Sequence, residues 1–191
     1  MTRVTGVALA LAALMALAAA PAAAQEWPPP EEPQQLAPLA VGNVPTWIEI
    51  PRLGTSAAIV PLGLEEDGAM ASPVDPDTVG WWQEGPGVGG QGNMLLDGHV
   101  DWGGRLRVFG LLQRLEPGDL IYVAGQDGAT RTYSVLWNRL YEDADAAPLD
   151  EIFPTTPDEQ LTLITCGGEF NHSARMYVGR WVVRAAPLSA N

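Results

Sequence analysis

The sequence predicts a mostly-β domain of about eight short strands with one or two short helices, closed into a barrel or packed as a sandwich. Three observations carry this. Glycine and proline are abundant, 21 and 17 of 191 residues, and they punctuate the chain at short intervals. Between them lie short apolar or alternating runs that suit a pleated, half-buried strand. Only one stretch shows the 3.6-residue spacing of an amphipathic helix. At this length the chain holds one domain of ordinary size plus appendages, enough to bury a core without disulfides or metal.

Residues 1–24 read as a targeting segment. Arg3 supplies a short positive region, Val7 to Ala20 is rich in Ala and Leu, and Ala22-Ala23-Ala24 offers small residues for cleavage after Pro21. The uncharged stretch from Val4 to Ala24 is also just long enough to span a bilayer. A cleaved signal peptide and an N-terminal membrane anchor are therefore both expected readings, and either places the folded part outside the cell. No cysteine is available here for lipid attachment. Residues 25–43 form a Pro-rich linker, in which Trp27-Pro28-Pro29-Pro30-Glu31-Glu32-Pro33 favours extended polyproline geometry.

From Val44 onward strand and turn signals alternate. Trp47-Ile48-Glu49-Ile50 is a strand stopped by Pro51. Ala57 to Leu62 is a second, followed by the turn Glu65-Glu66-Asp67-Gly68. Val79-Gly80-Trp81-Trp82 is a third, closed by the loop Gly85 to Gly90, and Asn93 to His99 is a fourth. The helical pattern runs from Leu106 to Leu115, through Phe109 or Gly110 and Leu112. Pro117-Gly118-Asp119 then turns into the strand Leu120 to Ala124, which pairs with Thr130 to Leu140 across the hairpin signal Asp127-Gly128. Leu161 to Cys166 and Met176 to Ala185 complete the set.

Charge narrows the function classes. With 23 acidic against 10 basic residues the net charge is -13, so no basic stripe exists to neutralise phosphates and a nucleic-acid partner is not expected. Adsorption to an anionic membrane surface is disfavoured for the same reason.

The chemistry centres on the single cysteine, Cys166, which ends the apolar run Leu161 to Thr165 and precedes Gly167-Gly168. Exported proteins use cysteines in pairs, so a lone thiol there points to intermolecular pairing or to a nucleophile. A free thiol titrates near pH 8.5 and needs a partner that favours thiolate. The chain has two histidines. His99 stands at the end of the fourth strand, flanked by Asp97 and Asp101, and is a candidate general acid/base. His172 lies in a polar, turn-like stretch. An oxyanion donor is also needed for acyl transfer, and Arg180 before Trp181-Val182-Val183, or Arg175 in the preceding loop, would serve. Singly, each is ordinary: free cysteines are among the most buried residues, and lone histidines and strand arginines face solvent in most proteins. Jointly they place one Cys, one His and one Arg at strand ends in glycine-framed sequence. One cysteine and two histidines lack metal-ligand spacing, so neither a metal nor a cofactor is expected. His99 precedes Cys166, the reverse of the papain-like order.

These segments together resemble the sortases, the cysteine transpeptidases of the Gram-positive-type cell envelope. Thr162-Leu163-Ile164-Thr165-Cys166 is similar to the family's TLxTC motif, Gly98-His99 to its histidine segment, and Pro117-Gly118-Asp119 to its pGD turn. Ile50-Pro51-Arg52-Leu53-Gly54, Pro61-Leu62-Gly63-Leu64, Val79-Gly80-Trp81-Trp82 and Cys166-Gly167-Gly168 extend the likeness toward the class E/F group. The resemblance covers about residues 44 to 185, and it implies a closed eight-stranded sortase-type barrel with a catalytic domain over 44–187. It implies Cys166 as nucleophile, His99 as general acid/base, Arg180 as the carbonyl and oxyanion ligand with Arg175 as fallback, and Thr165 in substrate binding. The implied reaction cleaves an LPxTG-like sorting signal through a thioacyl intermediate and transfers the surface protein to an amine of the cell wall or of a pilin. Asp97 departs from the small or apolar residue the pattern leads one to expect before the glycine. Two other functions fit the same residues: a secreted cysteine peptidase that only hydrolyses, and an inactive sortase-fold binding module.

Overall fold

A computed structural model describes residues 41–188 apart from Asp67. The expected targeting segment and most of the expected linker lie outside the described residues. The described residues form ten strands: β1 (Pro45–Ile50), β2 (Thr55–Leu62), β3 (Val79–Trp82), β4 (Asn93–Asp97), β5 (Asp101–Trp102), β6 (Arg105–Leu106), β7 (Leu120–Gly125), β8 (Thr130–Tyr141), β9 (Gln160–Asn171) and β10 (Met176–Pro187). Eight of them close a barrel in the order β1-β2-β3-β4-β9-β10-β8-β7, with β7 returning to β1. The expected mostly-β, closed eight-stranded barrel is the observed architecture.

Alternation builds it. Along β1, Ile48 and Ile50 are fully buried while Trp47 and Glu49 face out, and β7 repeats this with Ile121 and Val123 inside. Leu161 and Leu163 of β9 and Val183 and Ala185 of β10 complete the inner face. Each buried Ile, Leu or Val among them contributes about 1.5–3 kcal/mol by leaving water. Asp127-Gly128 turns β7 into β8 as the hairpin signal predicts, with the Gly128 N–H donating to the Gly125 carbonyl.

Two contacts matter most for the site. The β4–β9 pairing is parallel, Asn93 opposite Gln160 through Asp97 opposite Ile164, which sets the chain leaving β4 beside the Cys166 strand. The β9–β10 pairing is antiparallel and sets Arg180 directly opposite Cys166.

The helix expected over Leu106 to Leu115 does not form. Gly103 and Gly104 adopt φ values of 62° and 75° and turn β5 into β6, so Leu106 pairs with Asp101 as a strand residue. The chain then tightens into i→i−3 hydrogen bonds, with a 3-10 turn over Leu112–Arg114. Phe109, Leu112 and Leu115 are buried at a spacing of three, the 3-10 period, whereas Leu106 is exposed. The sole α-helix among the described residues is one turn, α1 (Leu149–Ile152), in the β8–β9 connection. It is held to the barrel by the buried Arg184, which donates to the carbonyls of Glu151 (2.8 Å) and Ile152 (2.9 Å) and to the Gln160 side chain. Among the described residues no helix is long and apolar enough to cross a membrane.

Candidate active site

Strand pleat decides which residues of β9 meet solvent. Leu161, Leu163 and Thr165 point into the core, so Ile164 and Cys166 take the opposite face. The register carries that face sideways, to Asp97 on β4 beside Ile164 and to Arg180 on β10 beside Cys166. A cavity of about 200 Å³ forms there, with Asp97, His99, Cys166, Arg180 and Ser72 as its polar lining and Met70, Leu95 and Phe153 among its walls. Three of the residues expected from sequence, Cys166, His99 and Arg180, therefore meet in one cavity. Arg175 does not join them; it is exposed in the β9–β10 turn, at φ 57°. His172 is exposed in the same turn, edge-on to Phe170 at 5.2 Å.

His99 is delivered by a pinned loop. The Gly98 N–H donates to the Ile164 carbonyl, and the Phe109 N–H donates to the His99 carbonyl. A Cβ on Gly98 would lie 2.7 Å from the Phe109 ring and 2.8 Å from a Val108 methyl, so only glycine lets the chain pass here. Thr165 is 1% exposed and does not line the cavity. Its hydroxyl donates to the Gly98 carbonyl at 2.6 Å, tying the Cys166 strand to the His99 loop from below.

The imidazole Nε2 lies 2.8 Å from the Pro73 carbonyl, and its edge faces Trp102 at 5.2 Å between centroids. A carbonyl only accepts, so Nε2 carries the hydrogen and Nδ1 is left as the position that takes or gives a proton. The sequence carries no sign of this orienting contact, because it comes from a backbone oxygen in the β2–β3 connection. Arg180 is held by its own strand, donating to the carbonyls of Gly179 (2.8 Å) and Tyr177 (3.3 Å).

Burial pushes the Cys166 thiol above its ordinary value; the Arg180 guanidinium opposes this, while Asp97 and Asp101 add to it. Burial likewise pushes the Asp97 carboxyl up to about 6, against the lowering effects of His99, the Gly98 N–H and Arg180. Asp101 accepts a hydrogen bond from the Tyr177 hydroxyl at 2.9 Å. The thiol is therefore neutral at rest near pH 7 and needs a base in contact when it attacks. A direct consequence concerns iodoacetamide. Its rate of reaction with Cys166 should rise with pH along a curve centred above the ordinary thiol value, and Arg180→Gln should move that curve further up by removing the opposing charge. A curve centred below the ordinary value would contradict this electrostatic description.

A second, larger cavity of about 470 Å³ adjoins the first and shares Met70, Leu95 and Phe153 with it. Its lining, which includes Leu64, Trp82, Pro86 and Pro154, has no titratable side chain. It offers a trough for an extended, largely apolar segment leading to the thiol. Among the described residues no group of three or more His, Cys, Asp or Glu side chains is placed to hold a metal ion. The combination of nucleophile, proton-carrying imidazole and fixed guanidinium is suited to acyl transfer at a carbonyl.

Comparison with known proteins gives the same direction. The family model described as Sortase domain matches residues 48–188. No curated protein matches the chain. Among solved structures, sortase A from Corynebacterium diphtheriae is similar at 22% identity and a TM-score of 0.58, over 78% of this chain and 62% of that one. Sortase C1 from Streptococcus agalactiae is similar at 22% identity and a TM-score of 0.58, over 76% of this chain and 68% of its own. Sortase C-1 from Actinomyces oris has the same identity and TM-score, over 76% and 74%. At these identities the structural likeness is one of fold.

Proposed function

The chain belongs to the sortase family, and from that premise we propose that it is a cysteine transpeptidase of the outer cell envelope, working on a sorting signal of the LPxTG kind. The observation that carries this reading is the convergence of Cys166, His99 and Arg180 on one cavity next to an apolar trough. An extended signal lies along the trough and presents its Thr–Gly carbonyl to Cys166. His99 takes the thiol proton as Sγ attacks, and returns it to the leaving amine. Arg180 holds the carbonyl oxygen as charge develops on it. The C–N bond breaks, leaving the threonine acyl group on Sγ as a thioester. An amine then attacks the thioester, His99 takes a proton from it, the C–S bond breaks as Sγ leaves and regains that proton, and the protein is transferred. Thr165 acts as a positioning residue through Gly98. The chain's own partners in this reading are proteins bearing the signal and an amine of the cell wall or of a pilin; a pilus-related sortase C is among the structures of similar fold. The class E/F assignment is part of the same proposal and is supported by the motifs between Ile50 and Gly168.

A panel of signal peptides with and without an added amine tests the reading. The expected product is a new amide joining the threonine-terminated fragment to the amine. Cleavage that ignores the amine would favour a hydrolysing peptidase instead. Binding without any cleavage would favour a module that keeps the fold alone.

A further inference from the structure

Asp97 is the feature the proposed first step leaves unexplained. Its register partner is Ile164, one pleat before Cys166, and its side chain lines the cavity that holds the thiol. Among the described residues it has no ion-pair partner, although charged groups surround it. Those groups are otherwise engaged: Arg180 with the Gly179 and Tyr177 carbonyls, and His99 with the Pro73 carbonyl. Asp101, the other acid near the thiol, accepts the Tyr177 hydroxyl. A carboxylate beside a thiol that must ionise works against acylation. An anion kept where it hinders one step calls for another step that it assists.

The second step supplies one. Water arrives neutral, whereas an aliphatic amine arrives as an ammonium ion near pH 7. Moving that cation into a cavity with apolar walls is costly unless an anion meets it there. We propose that Asp97 captures the ammonium group of the incoming acceptor amine beside the Cys166 thioester, and so favours transfer over hydrolysis; the inference rests on the transpeptidase reading above. The captured ammonium gives one proton to Nδ1 of His99. Its nitrogen lone pair then forms the C–N bond, the C–S bond breaks, and Sγ leaves as thiolate. The second proton passes from the nitrogen to the thiolate, giving the neutral amide and the resting thiol, and His99 gives up its proton to solvent. No oxidant or cofactor enters. The carboxyl is pushed up to about 6 and is therefore largely ionised near neutral pH, as capture requires. The charged or titratable groups facing it are His99 in the following loop, Cys166 on β9 and Arg180 on β10. The neighbouring strand β3 offers only Gly80 and Trp81 opposite this end of β4, and the β2–β3 connection offers Met70 and Ser72.

The test starts from preformed thioacyl-enzyme, so any change in acylation cancels. The enzyme is divided between Nα-acetyl-lysine methylamide, a cation at pH 7.5, and hydroxylamine, which is neutral there, each competing with water. Asp97→Asn is expected to lower the lysine-to-water product ratio roughly tenfold, the size of one lost charge-assisted contact, and to leave the hydroxylamine-to-water ratio in place. Asp97→Ser provides a second neutral variant, and Asp97→Glu should restore much of the lysine ratio. Equal ratios in wild type and neutral variants, or a parallel fall for both nucleophiles, would overturn the proposal. If wild type forms no thioacyl-enzyme at all, the transpeptidase reading fails and takes this inference with it. If it forms and discharges one with an unaltered partition in the neutral variants, the inference alone fails.

Discussion

Replacing Cys166 by alanine is expected to abolish cleavage of the signal peptide, a loss on the order of a millionfold, down to background. No other thiol lines either cavity, so nothing else there can form the thioester. Ser72 lines the Cys166 cavity, but a serine hydroxyl is a far weaker nucleophile than a thiol and would form an ester rather than a thioester. The substitution should leave the fold intact, because Cys166 is only half-buried on the outer face of β9 and the core is built from Leu161 and Leu163 on the other face. A melting experiment should show a destabilisation of about 1 kcal/mol or less. An inactive but folded variant would assign the loss to chemistry. Residual cleavage well above background would mean that the nucleophile lies elsewhere.

Replacing His99 by alanine is expected to lower turnover about a thousandfold, the usual range for a positioned proton carrier. Alanine also removes the bond to the Pro73 carbonyl, so that loss alone would not separate proton transfer from loop positioning. Glutamine separates them. Its side-chain amide can still donate to the Pro73 carbonyl but cannot shuttle a proton. His99→Gln should therefore be about as impaired as His99→Ala. A glutamine variant retaining more than about a tenth of wild-type turnover would show that His99 mainly braces the loop.

Much of this arrangement was legible in the sequence, and the parts that were not have physical causes. The alternating run at Trp47–Ile50 and the short β-rich or apolar runs at Leu120–Ala124 and Leu161–Cys166 mark strands, and the barrel contains all three. The meeting of Cys166, His99 and Arg180 followed from short motifs at strand ends. Leu106 to Leu115 misled because apolar residues three apart satisfy both a helical stripe and a 3-10 run. The tie-breaker, the Gly103-Gly104 turn that pairs Leu106 with Asp101, is a contact across a hairpin too short to show periodicity. Helix α1 has four residues, below the length at which a stripe can be seen, and its anchor Arg184 is distant in the chain. The Pro73 carbonyl that orients His99 is main chain and has no residue signature. Thr165 sits in the right motif, but which way it points depends on strand parity. That parity turns its hydroxyl to Gly98 rather than into the cavity.

The proposed function stands on uptake of the acyl part of a sorting signal by Cys166. Intact-mass spectrometry of the wild-type protein, briefly mixed with an LPxTG-like peptide and no amine, tests it most directly. The expected species is heavier by the threonine-terminated part of the peptide less one water, located on Cys166 and discharged when an amine is added. Absence of that species across the peptide panel, or its persistence in Cys166→Ala, would contradict it.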